Sequence, residues 1–392
     1  MAVAFLKERN LGRILAGHPW VYAADILRVE KSSTDGGEIT IRTTNGNYIG
    51  NGFYNSKSRI PIRIFSRSRE KLDESFFRRR FLEAKSFREN ILPNFTSNVY
   101  RMVWSEADFL PGLVIDRYGD VWVIQTLTLA MDQRKDLFVT LLRDIFGAEI
   151  ILGRHDVASR QFEGLPQQKE ILLGKVQERW LVTLGLARFE VNLMEGQKTG
   201  SYLDQIANQI AIGSLARGRR VLDCFAYEGG FAIHTALGGA AEVEALDLSK
   251  EAVAAGYRNA ELNGVNWVKW KVANVFDVLN VYQRLQRKFD LIVLDPPSFT
   301  KSRSKLTEAL RGYKEIHLRA FKLLSSGGLL ATFCCSHHVD AETFRAVVLD
   351  AAFDARKILR LRQIFLQSPD HPIIPSIPET EYLKGFLFEV IY

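Results

Sequence analysis

The stretch Phe289-Asp-Leu-Ile-Val-Leu-Asp-Pro-Pro-Ser298 constrains this chain more than any other: an apolar run suited to a buried strand ends in a carboxylate and two prolines. In an open α/β sheet the carboxyl ends of the strands form the ligand crevice, and the prolines fix the exit path of the backbone. Asp295 therefore stands at an expected crevice edge. Other strand-like runs fall near 221–224, 243–247, 267–273 and 329–334, with helical spacing between them. This alternation predicts an α/β domain, a parallel sheet with crossover helices, from about residue 184 to 392. Asn263-Gly264 and Gly327-Gly328 read as helix stops.

A chain of 392 residues exceeds what one core usually serves, so two or three domains are expected. With 47% hydrophobic and 25% charged residues it falls in the range of folded globular proteins, which argues against disorder and fibrous repeats. Charge interrupts the amino terminus too early for a secretory leader, and no apolar run approaches about 18 residues. A cytoplasmic location without membrane contact is the expectation. Cys224, Cys334 and Cys335 form neither a metal spacing nor a disulfide framework, so reduced thiols and no metal are expected.

The net charge of +7 is unevenly placed: the first 101 residues carry 18 Lys and Arg against 10 Asp and Glu. Such an excess suits a module that meets a polyanion, although a solvated basic face has the same composition. Residues 1–70 contain short β-rich pieces, at 38–42 and 59–65, and read as a small β-barrel. Alternation there places Arg59, Arg63 and Arg67 on an outer face able to hold phosphates, and Ile60, Ile62, Ile64 and Phe65 in the barrel core. The segment 75–90 reads as an amphipathic helix whose Phe77, Phe81 and Ala84 face a core. It opens a central α+β module, residues 71–183, with a hairpin turning at Tyr118-Gly119-Asp120, a helix over 131–146 and a strand at 149–152.

The first strand of the last domain ends in Asp223-Cys-Phe-Ala-Tyr-Glu-Gly-Gly-Phe231, a turn whose glycines allow close backbone approach to a ligand. The Gly-x-Gly-x-x-Gly spacing that seats a pyrophosphate is absent. Asp247 closes the second strand, where a carboxylate can accept hydrogen bonds from both hydroxyls of a ribose. Two acids and a glycine turn without a phosphate cradle suit S-adenosylmethionine better than NAD.

At these residues the chain resembles the class I S-adenosylmethionine-dependent methyltransferases, and more narrowly the RlmI-like family of 23S rRNA 5-methylcytosine methyltransferases. The resemblance covers nearly the whole chain. Gly17-His-Pro-Trp-Val-Tyr22 is similar to the start of that family's PUA domain, an RNA-binding barrel, and Glu106-Ala-Asp-Phe-Leu-Pro-Gly-Leu113 to its central EEHEE domain. Glu195-Gly-Gln-Lys-Thr-Gly-Ser-Tyr-Leu-Asp-Gln205 resembles the entry to the catalytic domain, which implies that Lys198, Thr199, Gly200, Asp204 and Gln205 lie against the cofactor. It also implies cofactor contacts at Asp223, Phe225, Tyr227, Gly229, Gly230, Phe231, Asp247, Leu248 and Asp295. Where the family commonly has an acid on the adenine amino group, this chain has Asn274, an acceptor without charge assistance.

The implied reaction methylates C5 of cytosine in 23S rRNA or a large-subunit precursor. That carbon is a poor nucleophile until a thiolate has added to C6. Adjacent strand residues point to opposite faces, so Cys334 and Cys335 do not both reach a substrate. The resemblance selects Cys335, with Asp295 near N3 and the Pro296 carbonyl on the exocyclic amine. His337 and His338 remain unassigned, and a homodimer remains open. Two alternatives stand beside this reading: an exocyclic-amine methyltransferase, since Asp-Pro-Pro also serves that chemistry, and a non-catalytic rRNA-binding assembly factor. A nicotinamide oxidoreductase lacks its phosphate loop.

Overall fold

The computed structural model describes residues 2–92, 98–300 and 303–392, and the chain forms two compact units. The first takes residues up to 182 together with 191–203 and 369–380; the second takes 183–190, 204–368 and 381–392.

In the first unit a six-stranded sheet runs, in spatial order, Trp20–Val21, Ile62–Ser66, Tyr48–Tyr54, Glu38–Thr43, Ala2–Leu6 and Ile26–Val29. Period-two alternation brings Ile39, Ile41, Ile49, Ile62 and Ile64 into one apolar cluster with Ala4, Leu6, Ile14 and Val21. The expected strand over 59–65 begins only at Ile62, because Pro61 has no N–H for the ladder. The other face of that strand is also covered. Phe65 does not join the barrel core as expected; it is 2% exposed against Phe76, with ring centroids 5.1 Å apart, in the neighbouring core.

That second core lies between the helices Glu74–Ile91 and Lys135–Phe146 and a five-stranded sheet. The sheet order is Lys169–Leu173, Ile150–Arg154, Val121–Thr126, Leu113–Tyr118 and Val99–Trp104. Asp73 caps the first helix by accepting the Phe76 N–H at 3.1 Å, and Phe77, Phe81 and Ala84 are buried. The hairpin turns at Gly119, φ 62°, as expected. The helix expected over 131–146 is interrupted: Leu129–Asp132 is separate, and the Asp132 carboxylate is taken by Thr126 and Arg160.

Segments 191–203 and 369–380 belong with this unit although the sequence reading gave them to the last domain. Buried polar groups account for the second of these. The Arg101 N–H donates to Asp370 Oδ2 at 2.7 Å, and Arg88 donates to the Asp370 carbonyl at 2.9 Å. Arg88 is also paired with Asp108, and Arg101 bidentately with Asp116, so these buried cations are fully matched.

The second unit is built on a seven-stranded sheet: β1 (Arg220–Cys224), β2 (Glu242–Asp247), β3 (Lys269–Val272), β4 (Phe289–Leu294), β5 (Leu324–Cys334), β6 (Leu359–Phe365) and β7 (Lys384–Val390). Their order is β3-β2-β1-β4-β5-β7-β6, parallel throughout except that β7 runs antiparallel to both neighbours. Leu222, Leu291, Ile292, Leu294 and Leu330 are fully buried, which is why the central strands read as nearly unbroken apolar runs. The order reverses between β1 and β4, so the crevice opens at their carboxyl ends. Gly264 follows a helix end as expected, but Gly327-Gly328 does not. The helix Leu306–Leu323 passes straight into β5, where Phe289 pairs with Leu324 and Leu291 with Leu329. The intervening residues bulge, and Gly327 takes φ 77° there.

Because Phe65 fills the neighbouring core, Phe65→Ala is expected to lower the stability of the first unit by about 3–5 kcal/mol. Ile60→Ala, at a half-buried site outside the strand, is expected to cost under about 1.5 kcal/mol. Urea titration of both variants checks the contrast; equal losses would place Phe65 in the wrong core.

Candidate active site

Three acids converge at the carboxyl edge of the second unit. Asp223 sits in β1, Asp247 ends β2 and Asp295 follows β4. Asp223 is 1% exposed; its Oδ2 accepts the Ala232 N–H at 2.8 Å, while Oδ1 is buried without a hydrogen-bond partner. Burial first, and then the charges of Asp295 and Asp247, hold its carboxyl well above the usual carboxylate range against the pull of the Ala232 N–H.

The turn between β1 and the helix Gly230–Leu237 is shaped by left-handed backbone at Phe225 (φ 65°), Tyr227 (φ 49°) and Gly229 (φ 96°). The Tyr227 N–H donates to Asp247 Oδ2 and the Ser249 N–H to Oδ1, both at 2.9 Å, so two backbone amides orient that carboxylate. A side chain at Gly229 would lie 2.5 Å from the Trp270 indole, which also approaches Gly256. Gly230 faces Gln209 as closely, and Phe231 stacks on Phe333 at 5.2 Å. Leu248 is 71% exposed beside Asp247. Asn274 Oδ1 accepts the Phe276 N–H at 2.9 Å, so this amide caps a helix and keeps only its second lone pair for another donor.

Residues 198–205 divide between the units. In the first unit, Ser201 N–H donates to the Tyr118 hydroxyl at 3.0 Å, Tyr118 meets Thr199 at 3.1 Å, and Thr199 donates to Asp116 at 2.5 Å. A side chain at Gly200 would strike Leu193, and Lys198 Nζ lies 4.7 Å from the Tyr202 ring centre. Asp204 and Gln205 belong to the second unit. Asp204 accepts the Tyr382 hydroxyl at 2.7 Å. Gln205 donates to Asp295 Oδ2 at 3.1 Å and is itself held by Asn208 at 2.7 Å, a positioning contact that the sequence did not announce.

Cys335 follows the last residue of β5, as Asp295 follows that of the adjacent β4; Leu294 is in register with Thr332. Cys335 is partly exposed, whereas Cys334 is fully buried and its thiol lies 3.4 Å from the Tyr313 hydroxyl. Burial pushes the Cys334 thiol up, and that of Cys224, buried within β1, further. Pro296 is buried and Pro297 exposed. Beneath β5, His317 is hydrogen-bonded to Tyr313 and Thr332, and burial lowers its pKa to about 4, so it stays neutral. The His337 ring lies 5.9 Å from Tyr382, and the His338 N–H donates to Ser336. Among the described residues no metal-binding cluster occurs.

The three barrel arginines have separate surroundings. Arg63, 13% exposed, pairs with Glu106 at 3.2 Å and Glu163 at 3.3 Å and faces the α+β module rather than solvent, which corrects its expected outward placement. Arg59 is exposed with its guanidinium 3.6 Å from the Phe162 ring centre. Arg67 is exposed and donates to the His18 carbonyl at 3.1 Å.

A buried unpaired carboxylate oxygen, an oriented Asp247 and a glycine-shaped turn fit a ligand that carries positive charge and a ribose. A family model described as S-adenosylmethionine-dependent methyltransferase matches residues 142–388, and one described as a PUA-like domain matches 5–67. Two solved chains share the fold over their full lengths and that of this chain. A Streptococcus mutans protein described as a SAM-dependent methyltransferase has TM-score 0.84 at 21% identity, and a methyltransferase complexed with SAH has 0.86 at 20%. The fold and the family define an S-adenosylmethionine-dependent methyltransferase. Ribosomal RNA large subunit methyltransferase I of Aeromonas hydrophila is 38% identical over 391 residues, 98% of each chain, and this chain belongs to that family.

Because the folded value for Asp223 is raised above its unfolded value of about 3.9, the folded chain binds the extra proton. Stability is therefore lost as pH rises from about 4 through that raised value. Asp223→Asn keeps an oxygen for the Ala232 N–H, and is expected to raise the unfolding temperature of the ligand-free protein at pH 8 while changing it little at pH 4. Thermal scans at the two pH values check this, and an equal shift at both would exclude titration of Asp223 as the cause.

Proposed function

We propose that this enzyme methylates C5 of a cytosine in 23S rRNA, or in a large-subunit precursor, through a covalent bond between Cys335 and C6. The observation that carries the reading is the placement of a partly exposed Cys335 and of Asp295 at adjacent strand ends in a methyltransferase of this family. Relatives named ribosomal RNA large subunit methyltransferase I support the substrate class. With ribosomal RNA as substrate, the enzyme acts in the cytoplasm. Among the described residues no helix is long and apolar enough to cross a membrane.

S-adenosylmethionine supplies a methyl group on a sulfonium. Asp247 would receive the ribose hydroxyls, Asp295 would offer negative charge to the cofactor's cationic end, and Asp223 would give up its proton as that cation arrives. Within the second unit, Asp204, Gln205 and the 225–231 turn form the remainder of the proposed cofactor contacts. The Cys335 thiolate adds to C6 while Asp295, oriented by Gln205, shares a proton with N3. The C5 electron pair then takes the methyl group, the sulfur–methyl bond breaks, and neutral S-adenosylhomocysteine is left. The C5 proton then passes to solvent and the N3 proton returns to Asp295, which restores the ring double bond and expels the thiolate, so the enzyme returns unchanged. The Pro296 carbonyl accepts from the exocyclic amine.

An exocyclic-amine reading would want the aromatic side chain after Asp-Pro-Pro to clamp the base. Here Ser298 intervenes, and Phe299 is committed to packing, 4.6 Å from Tyr313 and 6.1 Å from Phe276 between ring centroids. This favours C5.

Methyl transfer to unmodified 23S rRNA, followed by nucleoside mass spectrometry, is expected to yield 5-methylcytidine with wild type and at least about a thousandfold less with Cys335→Ala. RNA carrying 5-fluorocytidine at the target should trap the wild-type enzyme, because fluorine does not leave as a proton does. An N-methylated product, or full activity in Cys335→Ala, would move the assignment to the exocyclic amine.

For RNA binding, Arg59 and Arg67 are proposed as phosphate contacts and Arg63 as a structural residue. The double variant Arg59→Ala, Arg67→Ala is expected to weaken binding and flatten its dependence on log salt by about 1–2 units. Arg63→Ala, which leaves Glu106 and Glu163 unmatched, should instead lower the unfolding temperature. Filter binding across a salt series separates the two; an unchanged slope in the double variant would remove both arginines from the interface.

A further inference from the structure

The residue that ends the sequence gap between Cys335 and the last strand is Lys384, at the start of β7. The β5–β7 ladder sets Lys384 directly opposite Cys334. It is 6% exposed, and its ammonium donates to the Ser336 carbonyl at 2.7 Å, on the turn just past Cys335. We propose that Lys384 is a positioning residue that holds Cys335 as a thiolate, by fixing a buried positive charge against the turn that carries it. The inference rests on the reading of Cys335 as the nucleophile.

A lysine head has three donors, and in a buried place each seeks an acceptor. One is spent on Ser336, and the charge interacts with both thiols and with Glu381 and Asp340. Burial lowers the Lys384 pKa on balance, and the negative groups around it, Glu381 and Asp340 among them, oppose that lowering and favour the ammonium. The two cysteines receive this field in different settings. Cys334 is enclosed beside Tyr313 and also faces the negative Asp295, and burial keeps it a thiol in spite of Lys384. Cys335 is partly exposed, so its thiolate keeps some hydration while the same cation stands beside it. Asp340, which caps the helix Ala341–Asp354, and Glu381, which precedes β7, favour the ammonium with their charge. His337 and His338 lie on the same turn. Within this cluster Lys384 is the group that favours ionisation of Cys335 across the neutral pH range.

In the test, the full ligand-free chain is alkylated with iodoacetamide across a pH series, and the Cys335 peptide is quantified by mass spectrometry. In this reaction the thiolate displaces iodide, so the rate follows the ionised fraction. Lys384→Met is expected to slow Cys335 alkylation at pH 7 roughly tenfold and to move its midpoint upward, as an opposite charge within a few ångströms does. Lys384→Arg should keep the midpoint near that of wild type. In methyl transfer the Met variant should lose kcat with little change in the KM for S-adenosylmethionine. Lys384→Gln, which retains a donor for Ser336 without the charge, serves the comparison if the Met variant does not fold. An unchanged midpoint in the neutral variant overturns the inference, and so does an Arg variant that behaves like Met. Because alkylation uses no RNA, a charge-dependent midpoint without any adduct on 5-fluorocytidine RNA would sustain the role of Lys384 while removing the proposed reaction.

Discussion

The parallel register of β1, β4 and β5 is the constraint on which the second unit depends. Val221 pairs with Leu291 and Leu291 with Leu329, so the three strands reach the same edge together. Asp295 and Cys335 both lie just past that edge. Rigidity there comes from the strands behind it, whose side chains at Leu222, Ile292 and Leu330 are fully buried. A parallel sheet can carry such strands only because helices cover both faces.

The same alignment creates an electrostatic problem. Three carboxylates at one strand edge repel one another, and the low exposure of Asp223 deepens the cost of its charge. The fold answers in part with backbone amides, from Ala232 to Asp223 and from Tyr227 and Ser249 to Asp247. The partnerless Oδ1 of Asp223 is what remains unanswered. A cation placed beside such a group favours its ionised form, so a buried carboxyl that holds its proton in the ligand-free fold can ionise when a positive ligand arrives.

How much of this could be read beforehand follows from the range of the signal. Strand ends, the glycine turn and Asp295-Pro296-Pro297 are local patterns, and local patterns survive in a bare sequence. What failed were statements about what packs against what. Phe65 is expected with Ile62 and Ile64 in the barrel core, but alternation puts it on the opposite face of the strand, and that face meets a second core. Arg63 shares that face and is therefore matched by Glu106 and Glu163. Gly327-Gly328 has the composition of a helix stop, and only the register with β4 reveals a bulge. The return of 369–380 to the first unit rests on Asp370 meeting Arg88 and Arg101, a pairing across more than half the chain. Lys384 was silent for the same reason, and for Gln205 the resemblance implied a cofactor contact but not the hydrogen bond to Asp295.

The adjacent cysteines make the last point physically. Cys334 and Cys335 are chemically identical neighbours, yet one ends the strand inside the core and the other begins the turn outside it. A residue's place relative to the strand end decides whether burial or a nearby cation governs its proton. Moving the end of β5 by one residue would exchange the two roles, because side chains alternate with period two. The β5–β7 ladder, which pairs Cys334 with Lys384, Thr332 with Phe386 and Leu330 with Phe388, opposes that slip. Each of those apolar partners would have to leave the core. In this reading the antiparallel β7, the one departure from a parallel sheet, does more than close an edge. It fixes which of two thiols faces the turn and delivers the ammonium to it in the same stroke.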